Sequence, residues 1–133
     1  MTNNAKACLT PHIIADYAEL CALWSSCDAL YGNAQSFDWI NTWRDHVNTD
    51  SFVAVLCMGD VPVLMAPLEP VIVSGTHILR YPGGTHANCN FPWLNRSLAH
   101  TIDDTSVNAL AVAIGKQKPE TDVISLTRQL PSL

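Results

Sequence analysis

The sequence is poor in charged side chains and contains no cluster of basic ones. Only 14% of its 133 residues are Asp, Glu, Lys or Arg, against roughly 25% in a typical globular protein, and the formal net charge is −5. Binding to nucleic acid or to anionic membranes needs a basic stripe or patch, so this composition argues against both kinds of partner. It also leaves apolar surface for a partner, or for further chain, to cover.

Long apolar runs and targeting signals are missing as well. No run approaches the roughly 18 apolar residues of a membrane span, and residues 1–6 do not lead into the apolar core of a secretory signal. The five cysteines are irregularly spaced and form no Cys-x-x-Cys pair, which argues against a disulfide framework or a zinc site. We therefore expect a cytoplasmic protein with reduced thiols, no metal and no membrane span.

The sequence also lacks the common catalytic signatures. Its five histidines form no H-x-x-x-H or H-E-x-x-H pattern, and neither a G-x-S-x-G elbow nor a glycine-rich nucleotide-binding motif occurs. Cys89 follows His86 by three residues, but a Cys–His nucleophile also needs a third group to orient the base. The residues alone therefore assign no catalytic role.

The apolar content of the sequence is sufficient for one hydrophobic core. With 48% hydrophobic residues, disorder is disfavoured, and 133 residues correspond to a single domain. We expect residues 1–10 to be a frayed N-terminus and residues 11–133 to form that domain. Apolar residues at spacings of three and four predict a first helix over 12–30, which begins near Pro11 and ends near Gly32.

Two further helices and several strands complete the pattern. Ser36 is the expected N-cap of a second helix that ends near Asn48, and Asp103 or Asp104 is the expected N-cap of a third. β-Branched and apolar runs predict strands at residues 51–58, 61–68, 69–73, 77–81 and 122–126. The order α-α-β-β-β-α-β predicts a mixed α/β sheet. The last strand has the composition of a buried one, so an open edge there indicates that something else completes the sheet.

A loop rich in glycine and asparagine follows the predicted meander of strands. Gly83 and Gly84 either form a simple tight turn or expose backbone N–H groups to an anion. His86, Asn88 and Asn90 occupy alternate positions, so in an extended loop they point the same way. Their side chains either contact a polar ligand or satisfy the backbone of the loop itself. These five residues are the predicted substrate-binding positions.

Aromatic residues are concentrated at the start of the second helix, where Trp39 and Trp43 lie four residues apart. The apolar face of this helix is formed by Phe37, Ile40, Trp43 and Val47. Aromatic residues at helical spacing usually pack into the core, which is the favoured interpretation here. The sequence does not decide whether Arg44 forms a salt bridge or is solvated.

Several of these segments, in this order, resemble the N-terminal part of the CelD-like proteins. These are GNAT-superfamily proteins linked to bacterial cellulose and exopolysaccharide biosynthesis. The similar segments are Q-S-F-D-W at 35–39 with Trp43, A-P-L at 66–68, G-G-T-H-A-N-C-N at 83–90, and D-V-I-S-L at 122–126 with Leu130-Pro131. The resemblance covers residues 15–131, which is nearly all of this chain but only the first part of a family member.

The resemblance implies a partial GNAT-like fold without its first strand, its last helix and its last strands. It implies the acceptor-side or scaffolding half of an acyl-CoA-dependent N- or O-acyltransferase, inactive without the C-terminal half as its partner. In the family the second domain binds the acyl donor, so acetyl-CoA or another acyl-CoA belongs to the complete enzyme and no cofactor is assigned to this chain. His86 is the candidate for contact with the acceptor, and Asn88 and Asn90 would help to position it.

Two other interpretations remain open. The chain is alternatively a non-catalytic binding module that forms a homodimer through the open edge of its sheet. The other alternative is a truncated, inactive fragment. A stable dimer is typical of the first, whereas aggregation of the isolated chain is typical of the second.

Overall fold

A mixed α+β fold is observed, with one sheet and helices on both of its faces. The computed structural model describes residues 8–83 and 90–126, and within them the sheet has seven strands. The helices and strands are β1 Thr10–Ile14, α1 Leu20–Trp24, β2 Ala29–Leu30, α2 Phe37–His46, β3 Phe52–Met58, β4 Val61–Val73, β5 Thr76–Arg80, β6 Trp93–Asn95, α3 Asp104–Gln117 and β7 Val123–Ser125. The predicted mixed class is confirmed, and the order of elements differs at its start.

The long strand β4 organises the sheet. Its residues 61–68 pair with β3, and its residues 69–73 pair with β5. The short strand β6 pairs with Leu64 and Met65 of the same strand and joins β2 to the sheet. The main strand order is β1-β3-β4-β5-β7, in which β5 and β7 are parallel and the other neighbours antiparallel. Both ends of the 81–92 connection therefore lie beside β4.

The predicted first helix over residues 12–30 is wrong. Thr10–Ile14 forms β1, which pairs antiparallel with β3, and helical structure is confined to a 3-10 turn capped by Asp16 and the short α1. The reason is tertiary. Ile13 packs against one hydrophobic cluster and Ile14 against another, on opposite faces of the sheet, so strand pairing overrides the helical spacing.

Regular structure also begins at an earlier residue than predicted. Leu9 is buried and Thr10 begins β1, so the expected frayed segment 1–10 is too long at its C-terminal end. Residues 1–7 lie outside the described residues. With the small β2–β6 pair left aside, the order is β-α-α-β-β-β-α-β rather than α-α-β-β-β-α-β. The strand that was expected to be missing ahead of the first helix is therefore present.

The predicted caps of α2 and α3 are confirmed. The Ser36 hydroxyl accepts a hydrogen bond from the backbone N–H of Trp39 at 3.3 Å. At α3, the Asp103 carboxylate accepts from the backbone N–H of Ser106 at 2.8 Å, and the Ser106 hydroxyl accepts from that of Asp103 at 3.0 Å. This reciprocal box satisfies donors that have no partner within a helix, so both helices begin where the local sequence dictates.

The two faces of the sheet carry separate hydrophobic clusters. The α3 side contains Phe52, Leu56, Leu68, Leu79, Leu110 and Ile114. The α1 and α2 side contains Tyr17, Leu20, Trp24, Ile40, Val55 and Trp93. Because successive side chains of β3 point to opposite faces, this one strand contributes to both clusters. The chain therefore has three layers, with α3 on one face and α1 and α2 on the other.

The last strand is exposed, whereas its composition predicted a buried strand. Val123 and Ile124 of β7 are 47% and 41% exposed. Helix α3 packs mainly against β1 and β3, which lie at the opposite edge of the sheet from β7, and so it does not cover β7. The open edge predicted here is present, since β5 is the one strand of the described chain that pairs with β7.

Candidate functional site

The glycine- and asparagine-rich loop has a buried polar side chain at each of its ends. It leaves β5 and returns to β6, and both strands pair with the same β4. Glu69 lies at its start and Gln35 at its finish, and both are fully or almost fully buried. We name these the Glu69 anchor and the Gln35 anchor. Residues 84–89 between them lie outside the described residues, so the candidate site is defined by what holds its two ends.

The Glu69 anchor is a carboxylate with four hydrogen-bond donors. Its Oε1 accepts from the indole N–H of Trp43 at 2.9 Å and from the amide of Asn48 at 3.1 Å. Its Oε2 accepts from Nε of Arg80 at 3.2 Å and from the backbone N–H of Gly83 at 3.1 Å. Glu69 and Arg80 face each other across β4 and β5. A carboxylate is tolerated inside the protein because a paired cation and neutral donors replace its water.

Gly83 gives the loop a fixed start. Its φ of 113° lies in a region that residues with a side chain rarely adopt, so glycine is required there. Gly83 is buried, and its backbone N–H donates a hydrogen bond to the Glu69 carboxylate. Of the two interpretations of the glycine pair, this geometry favours the tight turn at Gly83 over an N–H left open to an anion. Gly84 lies outside the described residues.

The Gln35 anchor is an uncharged amide network. The Gln35 Nε2 donates to the Asn90 Oδ1 at 2.7 Å, and the Gln35 Oε1 accepts from the backbone N–H of Phe91 at 2.8 Å. The indole N–H of Trp24 donates to the backbone carbonyl of Gln35 at 2.9 Å. The indole N–H of Trp93 donates to the backbone carbonyl of Trp24 at 3.0 Å. The end of the loop is therefore tied to the aromatic cluster under α1 and α2.

The structure describes two of the five predicted substrate-binding residues, Gly83 and Asn90. Asn90 is 3% exposed and its amide oxygen is bonded to Gln35, so in this structure its side chain serves the anchoring of the loop. Gly84, His86 and Asn88 lie outside the described residues. Contact of any of these residues with an acceptor stays a prediction.

Sequence reasoning missed both anchor side chains. Glu69 is the one charged residue in the thirteen-residue strand β4, and a single charge in an apolar strand requires a partner. Arg80, at the end of the next strand, was the available cation. Gln35 stood in the quoted segment 35–39, but its contact with Asn90 is separated by 55 positions, which no local pattern predicts.

An aromatic groove lies beside the Glu69 anchor. The rings of Trp39 and Trp43 are stacked, with centroids 5.2 Å apart and planes 5° from parallel. The predicted core-packing face of α2 holds for Ile40, which is fully buried, but not for Val47, which is 60% exposed. The chain leaves α2 at Val47, beyond the part of the helix that covers the sheet. Both indole rings are half-buried and line a surface groove of 460 Å³.

A second groove, of 330 Å³, lies between α3 and the sheet next to β7 and is almost wholly apolar. Its lining includes Leu68, Tyr81, Leu110, Ile124 and Leu126. Val107 of α3 is 49% exposed at this groove. The hydrophobic cluster on the α3 side is therefore not closed by the described part of the chain.

Two cysteines of the described chain, Cys27 and Cys57, have thiol pKa values raised above the usual one. Burial, and then the charge of Asp60, raises the pKa of the Cys57 thiol. Burial also raises the pKa of Cys27, against a lowering by its hydrogen bond with Ser26, and the charge of Asp28 adds a smaller increase. Thiols of raised pKa are less often ionised at neutral pH and so are weaker nucleophiles. Arg44, whose role the sequence left open, lies 4.9 Å over the ring of Tyr17 and pairs with the neighbouring Asp45.

Two absences apply to the described residues alone. Within residues 8–83 and 90–126, no group of three or more His, Cys, Asp or Glu side chains is placed to hold a metal ion. No helix in the same residues has the length and apolar character needed to cross a membrane. Comparison of the chain with protein-family models, curated proteins and solved structures finds no match.

Proposed function

We propose that this chain is the N-terminal, GNAT-like domain of a CelD-like acyltransferase, on the acceptor or scaffolding side of that enzyme. The observation that carries the proposal is β1. A complete GNAT unit begins with a strand ahead of its first two helices, and Thr10–Ile14 occupies that place. The chain then follows the GNAT order through two helices, three antiparallel strands, a helix and a parallel strand. The family resemblance associates the complete enzyme with bacterial cellulose or exopolysaccharide biosynthesis.

The open apolar groove supports the second part of the proposal, that this domain works with another half. The groove beside α3 and the 45% exposed Leu126 present apolar surface that no described residue covers. Burial of such surface stabilises by about 25 cal/mol per Å². A C-terminal GNAT half that covers the groove and the β7 edge would gain this stabilisation. It would also supply the acyl-CoA site that the family resemblance assigns to the second domain.

The chemistry proposed for the complete enzyme is acyl transfer to an amine or hydroxyl. A base removes the proton of the acceptor, and backbone N–H groups stabilise the thioester oxyanion. In the proposal His86 contacts the acceptor and Asn88 orients it. Glu69 and Gln35 fix the ends of the loop that carries both residues, so the geometry of the acceptor depends on the two anchors.

Co-purification from the native cells tests this function. A tagged copy of the chain should recover a complex that releases CoA from acetyl-CoA when acceptor is present, while the purified chain alone should not. His86→Ala should lower the rate in the complex by about 10-fold, the factor that corresponds to the loss of a hydrogen bond of about 1.4 kcal/mol to the acceptor. The exposed His100, in a 3-10 turn outside the loop, provides the control variant His100→Ala. A complex that neither binds acetyl-CoA nor releases CoA would refute the acyltransferase proposal.

Ligand-induced stabilisation gives a second test that needs no acceptor. A ligand at 100 times its Kd stabilises a protein by about 2.7 kcal/mol, which for one domain raises the Tm by several degrees. We expect acetyl-CoA to shift the Tm of the complex and to leave that of the isolated chain unchanged. A shift in the isolated chain would place the acyl donor on this domain instead of its partner.

The exposed edge of β7 favours one alternative function, a non-catalytic module that forms a homodimer. An open edge with exposed Val123 and Ile124 is a template for pairing with a second copy. Size-exclusion chromatography with light scattering distinguishes the cases. A dimer that Ile124→Lys converts to a monomer would favour the module, while a monomer would favour a separate C-terminal half. Soluble aggregate would indicate that the chain is an incomplete fragment.

A further inference from the structure

Helix α2 lies in the chain between two side chains that hold the glycine- and asparagine-rich loop. Gln35 directly precedes Ser36, the N-cap of this helix, and Asn48 directly follows its C-cap, Val47. Gln35 bonds to the finish of the loop, while Asn48 bonds to Glu69, the anchor of its start. The two ends of one helix therefore reach the two ends of one loop.

The Glu69 carboxylate divides its donors between α2 and the loop. Its Oε1 accepts from the indole N–H of Trp43 and from Nδ2 of Asn48, in α2 and just beyond it. Its Oε2 accepts from Nε of Arg80 and from the backbone N–H of Gly83. The side chain is 2% exposed, so water has little access to either oxygen. Because both oxygens belong to one rigid planar group, a displacement of α2 is passed on to Gly83.

The Asn48 side chain fixes the end of α2 against strand β4. Its Nδ2 also donates to the Pro70 carbonyl at 2.9 Å, and its Oδ1 accepts from the backbone N–H of Asp50 at 3.2 Å. Its backbone N–H donates to the carbonyl of Trp43 in the last turns of the helix, at 2.9 Å. Donor and acceptor groups of the amide are thus both used within the protein, which orients the side chain.

The position of α2 on the sheet depends on a residue in the middle of the helix. Ile40 is the one buried residue of α2 and belongs to the hydrophobic cluster on the α1 and α2 side. The helix has ten residues and is therefore a rigid rod about 15 Å long, whose two ends move together. A shift of the helix at Ile40 should displace both of its ends.

We propose that α2 is the positioning element of the loop, and that it sets both loop ends through Gln35 and Asn48. The consequence for the acceptor rests on the proposed function. The coupling itself is a property of this chain, so either can fail without the other. In the competing arrangement the sheet and α1 hold both ends unaided, since Glu69 lies on β4 and Trp24 donates to the Gln35 carbonyl. In that case α2 has no influence on the loop.

Amide hydrogen exchange of the full chain tests the coupling with a matched pair of variants. Ile40→Val and Ile114→Val each remove one methyl group from a buried isoleucine, the first in α2 and the second in α3 on the other face of the sheet. We expect Ile40→Val to speed exchange at the N–H groups of Gly83 and Phe91 by about two- to ten-fold. Ile114→Val should leave both rates unchanged, because loop ends exchange through local opening. Equal acceleration by the two variants, or no acceleration by Ile40→Val at one or both ends, would overturn the proposal.

Asn48→Ala separates the two ends of the loop. It removes a donor to Glu69 and leaves the contacts of Gln35 in place. Exchange at Gly83 should rise by about five-fold, as for the loss of one hydrogen bond, while Phe91 keeps its rate. Asn108→Ala, at an exposed position of α3, is the control and should change neither rate. An equal effect of Asn48→Ala at both ends, or none at Gly83, would refute the role given to Asn48.

Discussion

The two anchors of the loop differ in charge and in what they join. The Glu69 anchor is a carboxylate that joins α2, β5 and Gly83 through four donors, one of which is the guanidinium of Arg80. The Gln35 anchor is a neutral amide that joins the start of α2 to Asn90 and Phe91. A charge that loses its buried partner costs more than an amide that loses a hydrogen bond. The start of the loop therefore depends on the less replaceable side chain.

Removal of the charged anchor is the largest expected effect. Glu69→Ala removes an acceptor of the Trp43, Asn48 and Gly83 N–H groups and the counterion of Arg80, while the Asn48 amide keeps its hydrogen bond to the Pro70 carbonyl. We expect the free energy of unfolding to fall by about 3 kcal/mol, the lower end for a broken buried pair, because the Arg80 side chain is 37% exposed and water can solvate it. Urea denaturation measures the loss, and amide exchange at Gly83 shows whether it reaches the loop.

Glu19→Ala serves as the control for this prediction. Glu19 is exposed in the 3-10 turn before α1, so its replacement should change the free energy of unfolding by less than about 0.5 kcal/mol. A loss below about 1 kcal/mol in Glu69→Ala would mean that water replaces the carboxylate, which would contradict the role given to this anchor.

Removal of the Gln35 anchor should lower the free energy of unfolding by less than removal of the Glu69 anchor. Gln35→Leu keeps the approximate size of the side chain but removes its hydrogen bonds with the Asn90 Oδ1 and the Phe91 N–H. The loss of two hydrogen bonds, at about 1 kcal/mol each, predicts that the free energy of unfolding falls by about 2 kcal/mol. Gln117→Leu, at the exposed end of α3, is the matched control and should be nearly silent. A greater loss for Gln35→Leu than for Glu69→Ala would reverse the order of the two anchors.

Substitution of Gly83, next to the Glu69 anchor, should lower the free energy of unfolding by a smaller amount. Gly83→Ala places a side chain at a φ of 113° and should lower the free energy of unfolding by about 1 kcal/mol or more. Gly115→Ala is the opposite control, because it lies in α3 and a Cβ there meets no atom within 4 Å. That substitution should stabilise by about 0.5 kcal/mol through helix propensity. A Gly83→Ala protein as stable as the unsubstituted chain, or stabilised like Gly115→Ala, would show that the conformation of Gly83 is not a constraint.

Local chemistry made parts of the fold predictable from the sequence. Ser36 and Asp103 cap helices through contacts with residues three positions away, and such contacts are visible in a short window. β1 was missed because Ile13 and Ile14 owe their extended conformation to β3, some 40 residues later in the chain. The exposure of β7 was missed for a related reason, since composition records what a strand is made of but not which helix covers it.

The candidate site also has one feature that follows from the local sequence and others that depend on distant residues. Glycine content located the turn at Gly83, whose φ is a local property. The role of Asn90 depends on Gln35, and that of Glu69 depends on donors from three segments, so neither follows from a nearby pattern. The isolated charge of Glu69 in an apolar strand was the available signal. It indicated a buried pair but not that the pair would hold the start of a loop.

Tyr17 provides a contrast with the two anchors, because its buried hydroxyl has no hydrogen-bond partner among the described residues. Tyr17→Phe keeps the ring under the guanidinium of Arg44 and removes only that hydroxyl. We expect the free energy of unfolding at neutral pH to change by less than about 0.5 kcal/mol, since no hydrogen bond is lost. A loss above about 1 kcal/mol would mean that burial alone, and not pairing, sets the cost of removing a polar group.

The pH dependence of the same variant gives the most specific effect. Burial raises the pKa of Tyr17 well above its usual range, against a smaller lowering by Arg44. The unfolded chain releases this proton above about pH 10, while the folded chain retains it, so the stability falls as pH rises beyond that value. Burial raises the pKa of Tyr81 in the same direction, so Tyr17→Phe should flatten the alkaline decline without abolishing it. Urea titrations of both proteins at neutral pH and above about pH 10 measure the difference, and parallel declines would show that Tyr17 ionises as freely when folded as when unfolded.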